Sequence, residues 1–94
     1  LTSRRKALTD GSSWRGSLNE DNQADSASIA LDRSSSWELT ANSYVTSISD
    51  KDASFANIKS NGNNIYYDAS QNSALAGRTI DLPGGGKLLP QTKG

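Results

Sequence analysis

The sequence predicts an all-β chain, a right-handed parallel β-helix (β-solenoid) of about four to five coils with little or no helix. Three observations carry this. Ser12-Ser13-Trp14-Arg15-Gly16-Ser17-Leu18 lines up with the later stretch Ser35-Ser36-Trp37-Glu38-Leu39-Thr40-Ala41, an offset that suits one solenoid coil. Short segments alternate apolar and polar residues, as strands with one buried face do. No window of a dozen residues keeps apolar side chains at the helical spacing i, i+3, i+4, i+7.

Composition supports a thin core. Leu, Ile, Val and Phe together number 16 of 94 residues, whereas Ser, Thr and Asn number 30. So few large apolar side chains sit close to the composition of disordered chains. Zero net charge from 10 basic and 10 acidic residues points the other way. A solvated outer face with polar turns accounts for both. The balanced charge gives no global field to recruit nucleic acid or an anionic membrane. With no Cys, neither a disulfide nor a thiolate metal site is available. No apolar run reaches the ~18 residues of a membrane span, and no signal-like stretch opens the sequence. No Asn-x-Ser/Thr sequon occurs.

Taken in order, residues 1–10 read as an N-terminal arm or the end of a preceding coil. Arg4-Arg5-Lys6 reads as a solvated basic patch, with the remnant of a basic-protease processing site as its alternative. Residues 11–83 read as the solenoid coils. Ile29 and Leu31, Trp37 and Leu39, and Ile80 and Leu82 are inward-facing pairs, and a bend separates Val45 from Ile48. Ala53-Ser54-Phe55 reads as a weaker third copy of the repeat, with Phe55 in the place of the Trp and at a shorter interval than the one separating Trp14 from Trp37. Turns are expected at Asp32-Arg33-Ser34, at Ser49-Asp50-Lys51-Asp52, over residues 60–64 and at Pro83-Gly84-Gly85-Gly86. Residues 70–77 read as one helical turn or a loop. Residues 84–94 read as a Gly-rich terminal turn and tail. The expected interior stack is Trp14, Leu18, Ile29, Leu31, Trp37, Leu39, Val45, Ile48, Phe55, Ile58, Ile65, Ile80 and Leu82.

The stretches Ile29-Ala30-Leu31-Asp32, Ser34 to Val45, Asn61 to Ala69 and Leu82 to Leu88 are similar to the C-terminal portion of the β-helical passenger of autotransporter-like adhesins. They also resemble related secreted β-helix proteins of bacteria and fungi. The likeness runs from Gly11 to Leu89. It implies a right-handed β-helix with one side chain per coil stacked on the next, and a role in adhesion, surface display or scaffolding. The chain is much shorter than such passengers and has no membrane-barrel segment, so secretion by that route is not implied.

Chemistry-bearing groups are sparse. His is absent, which removes the commonest general base and every Ser-His pair. Glu20-Asp21 with Asp25, and Asp50 with Asp52, are the local carboxylate clusters, and Asp50-x-Asp52 has a spacing that could offer oxygens to Ca²⁺. Plain turn positions are the expected reading for all of them. Gly84-Gly85-Gly86-Lys87 fails the phosphate-loop pattern, because Asp81 stands where a Gly is required and Leu88 where a Ser or Thr is. Trp14 and Trp37 share parity with inward residues and are expected in the core, leaving Tyr44, Tyr66 and Tyr67 as candidate ligand-binding aromatics.

The sequence therefore points to an extracellular, secreted or cell-surface, structural or adhesive protein that is not an enzyme and takes no cofactor. It is expected to assemble end to end with copies of itself into a fibre, or to form part of a longer surface β-helix. A carbohydrate-binding adhesin with glycan partners is the alternative. A remnant of a polysaccharide-degrading β-helix comes third.

Overall fold

The computed structural model describes residues 3–19, 26–52, 54–72 and 75–91. Ten strands follow one another: β1 (Ser3–Leu8), β2 (Ser13–Arg15), β3 (Ser26–Leu31), β4 (Ser36–Glu38), β5 (Ser43–Val45), β6 (Ser47–Asp50), β7 (Ile58–Lys59), β8 (Ile65–Tyr67), β9 (Ile80–Asp81) and β10 (Lys87–Pro90). A 3₁₀ turn, Ala69–Gln71, follows β8 and is capped by the Asp68 side chain, which accepts from the Ser70 amide.

These strands build three sheets, in the orders β1-β3-β6, β2-β4-β7 and β5-β8-β10-β9. All pairings are parallel except β9 with β10, which is antiparallel. Each complete turn of chain, β3-β4-β5 and then β6-β7-β8, lays one strand on each side, and the result is a three-sided β-solenoid of about three turns. The expected four to five coils overshoot for two reasons. Coils are longer than that count assumes, since one full coil separates Trp14 from Trp37 and another Ile65 from Leu88. Between β8 and β10 the chain also spends residues on β9, which pairs antiparallel with β10 instead of continuing the parallel stack.

Register explains the core. Trp14 pairs with Trp37 and Trp37 with Ile58; the two indoles stack with centroids 5.5 Å apart and planes 13° from parallel. Trp37 is fully buried and its Nε1–H donates to the Gly16 carbonyl at 2.9 Å, so the polar end of a buried indole is satisfied. Ile29 pairs with Ile48, Leu8 with Leu31, and Val45 with Tyr67. All of these are buried, as are Leu18, Leu39, Phe55, Ile58, Ile65 and Leu82. Trp14 and Ile80 are half-buried against this cluster. Leu8, Ala27, Tyr67, Leu75 and Leu88 join it as well.

Two expectations are corrected and one is narrowed. Ile58, not Phe55, takes the position of the Trp in the third coil. The corner between β6 and β7 is longer than its predecessor, and Phe55 reaches the core from within it, buried at a φ of +58°. Of the two readings of residues 1–10, an arm or the end of a coil, the described part follows the second, because Ser3–Leu8 pairs with Ser26–Leu31 over its full length. Residues 84–94 are not all turn and tail, since Lys87–Pro90 is a strand of the third sheet that pairs with β8.

Corners are built from a recurrent Asp-x-Ser turn. Asp32, Asp52 and Asp68 each accept, through Oδ1, the amide and the hydroxyl of the serine two residues on, the local bonding that makes Asp a turn former. Asparagine amides tie successive coils together. Asn57 donates to the Asp32 and Ser35 carbonyls of the coil before it, and Asn61 to that of Leu39. Asn64 accepts from the Lys87 amide and gives its own amide to Asn42 Oδ1.

Candidate functional site

The expected aromatic triad separates. Tyr44 and Tyr66 pair in register between β5 and β8 on the outward side, and their rings stack at 4.9 Å and 15°. Asn64 Nδ2 donates to the Tyr66 hydroxyl at 3.2 Å. Tyr67 goes the other way, because its neighbour in the strand faces out and side chains alternate. It is fully buried and its hydroxyl donates to the Arg78 carbonyl, while burial raises its pKa above the ordinary phenol value. Tyr67 is therefore a core residue and is removed from the ligand-facing set. In the remaining pair the stacked faces cover each other.

Of the two described clustered carboxylates, Asp52 is absorbed by a turn and Asp50 is not. Asp52 is held below the usual carboxylate range by the Ser54 hydroxyl and amide. Asp50 lies on the inward side of β6, in register with Leu31. Its Oδ1 accepts the Asp52 amide at 2.9 Å, and its Oδ2 is buried without a hydrogen-bond partner. Burial pushes this carboxyl above its ordinary value. A cavity of about 240 Å³ adjoins it, lined by Ile48, Phe55, Asn72, Leu75 and Arg78. Glu20, Asp21 and Asp25 lie outside the described residues. Among the described residues no three His, Cys, Asp or Glu side chains gather as a metal site, and no helix is long and apolar enough to cross a membrane.

The chemistry that distinguishes one region from another lies at the two ends of the solenoid. At the C-terminal end the chain's own residues bond backbone groups at the last edges of the first two sheets. Asn72 lies over β6, accepting the Ile48 amide at 2.9 Å and donating to the Thr46 carbonyl at 2.8 Å, so one side chain replaces a strand's donor and acceptor. Beyond β7, Ser60 bonds Pro83 through both its amide and its hydroxyl, and the hydroxyl accepts the Gly86 amide at 2.8 Å. The third sheet ends on antiparallel β9. Leu75 and Leu82 are buried within this closure.

At the N-terminal end, no described strand pairs the outer edges of β1 and β2. Trp14 has Trp37 on one face and the Lys6 ammonium 4.5 Å from its ring centroid, a cation–π contact at the open end of the stack. Arg4, Arg5 and Arg15 are exposed nearby, with Arg15 in an ion pair with Glu38 at 3.5 Å. On sequence alone Lys6 falls in a solvated basic patch with Arg4 and Arg5, not over the Trp ring. The signal was present, since the offset that aligns the two Trp also aligns Lys6 with inward Ile29.

No protein-family model, no curated protein and no solved structure matches the chain.

Proposed function

We propose that the chain is an extracellular structural or adhesive β-solenoid protein, not a catalyst, that serves as the closed terminal stretch of a longer surface β-helix. The observation that carries this reading is the difference between its ends. Asn72, the Ser60–Pro83–Gly86 cluster and β9 occupy the last edges, while β1 leaves its whole outer edge free of any described strand. Solenoids need a terminating cap, because a bare last coil exposes both its core and its backbone. The likeness to the end of secreted β-helical passengers and the Ser-, Thr- and Asn-rich composition support a place outside the cell.

Assembly of copies end to end into a fibre is the other form of the same role. It would seat β1 of one copy on β6 of the next, where the Ile48 amide and Thr46 carbonyl are already bonded by Asn72. The asymmetry therefore favours the terminal-stretch reading. Light scattering and negative-stain microscopy at micromolar concentration test it. The full chain should remain monomeric, and a chain ending at Thr79, which loses β9 and β10, should self-associate. Filaments formed by the full chain would overturn the reading in favour of the fibre.

A further inference from the structure

The open edge carries charge in an arrangement that selects what can be added to it. Arg4, Lys6 and Leu8 stand in register with Ala27, Ile29 and Leu31, all three of which are buried. They are thus the inward row of the first coil, and two of the three are cations. Lys6 avoids the apolar interior by laying its ammonium over Trp14. Arg5 has the opposite parity and shares the outer face with Ser28 and Ser47, with which it is aligned. Positive charge therefore flanks the free backbone edge of β1 on both faces of its sheet.

A strand laid against that edge would bring its alternate side chains beside Arg4 and Lys6 on one face and Arg5 on the other. Cross-strand neighbours sit about 5 Å apart, where opposite charges attract and like charges directly opposite destabilise. A second copy of β1 would set Arg-Arg-Lys against Arg-Arg-Lys. An apolar strand would cover the Arg4 and Lys6 side chains and strip water from their charges without replacing it. A strand with carboxylates on the inward row supplies partners for both.

Resting on the reading of this end as the joining end, we infer that the edge of β1 docks an acidic β-strand, the neighbouring coil of a longer solenoid with carboxylates aligned to Arg4 and Lys6. The charges make this edge selective as well as adhesive. It accepts a coil of complementary charge and resists pairing with another copy of itself, which is how natural edge strands avoid promiscuous association.

The test is an N-terminal extension of the full chain by a coil copied from residues 26–46 and joined directly to Leu1. This places its copies of Ala27 and Ile29 as far before Arg4 and Lys6 as those two stand before Ala27 and Ile29 themselves. Three versions carry, at those two positions, Glu and Glu, the original Ala and Ile, or Lys and Lys. Hydrogen exchange of the β1 amides reads docking. The Glu version should slow exchange by at least an order of magnitude relative to the Lys version, with the unchanged version between them, and high salt should narrow the gap. If all three protect β1 equally, the edge joins without charge selection, and the inference falls while the terminal-stretch reading stands. If none protects it, both fall. Arg4→Glu with Lys6→Glu should invert the order of the Glu and Lys versions, and an unchanged order would also overturn the inference.

Discussion

A Cβ on Gly86 would lie 1.7 Å from the Asn63 carbonyl oxygen and 2.7 Å from Ser60 Cβ. The amide of Gly86 is tied to the Ser60 hydroxyl and its carbonyl to the Leu82 amide, so the backbone cannot withdraw without breaking the closure of the second sheet. Gly86→Ala should therefore destabilise the fold by about 2–3 kcal/mol or more, the range of overpacking in a tight site, read as a lower urea midpoint. A midpoint within a few tenths of a kcal/mol of wild type would show that the loop relaxes freely. Asp50 makes a second test at this scale. Its carboxyl is raised by burial, so its ionisation opposes folding: the associated stability is full below the unfolded value of 3.8 and is lost as pH rises through the higher folded value. Asp32 and Asp52 run the other way. The Ser35 hydroxyl and the Asp10 amide lead the groups that bring Asp32 down to about 2, and the Ser54 hydroxyl lowers Asp52. Their contribution is present above 3.8 and is lost as pH falls, through about 2 for Asp32. Asp50→Asn should raise the urea midpoint at neutral pH and leave it unchanged at acid pH. An equal effect at both would mean that packing, not charge, governs the site.

At the scale of elements, the cap on β6 depends on one side chain. Asn72→Ala removes the acceptor for the Ile48 amide and the donor to the Thr46 carbonyl, leaving buried backbone groups unpaired at a cost of about 1–3 kcal/mol. Exchange at the Ile48 amide should rise by more than the global loss of stability explains. A uniform rise across all strands would assign Asn72 a general packing role instead. This cap also marks where the sequence stopped being legible. Strand pairing in the first two coils could be read directly, because identical Ser-Ser-Trp triplets occupy identical places in the coil. Ile58 could not be found the same way. The corner before it is longer, and Phe55, a better match to Trp in chemistry, lies within reach of the core by another route. Asn72 looks like any polar loop residue until the edge it covers is known. The alternation rule that places Tyr66 outward places Tyr67 inward, but in a run of three β-favouring residues nothing local fixes the phase. It is set by Ile65 pairing with Ser43 a full coil before it and with Leu88 a full coil after.

At the scale of the whole molecule, a solenoid is a one-dimensional stack in which each coil is stabilised chiefly by its neighbours. The first coil has a neighbour on one side only, and its inward row holds Arg4 and Lys6 where the next coil has Ala27 and Ile29. The final strands are held on both sides: β10 lies between β8 and β9, and β8 between β5 and β10. Local opening should thus begin at the N-terminal end and run along the axis. Native-state hydrogen exchange should find the lowest opening free energies in β1 and β2, intermediate values in β3 and β4, and values near the global one in β8 and β10. Neutralising the end should shift only part of this gradient. Lys6→Leu removes a cation from the inward row and places an apolar side chain over Trp14, so it should slow exchange in β1 and β2 while leaving β8 and β10 unchanged. It also uncovers an apolar edge, so the same variant should associate at concentrations where the wild-type chain does not. A flat exchange profile, with every strand opening together, would show that the coils fold as one cooperative unit and that the open end costs the molecule nothing.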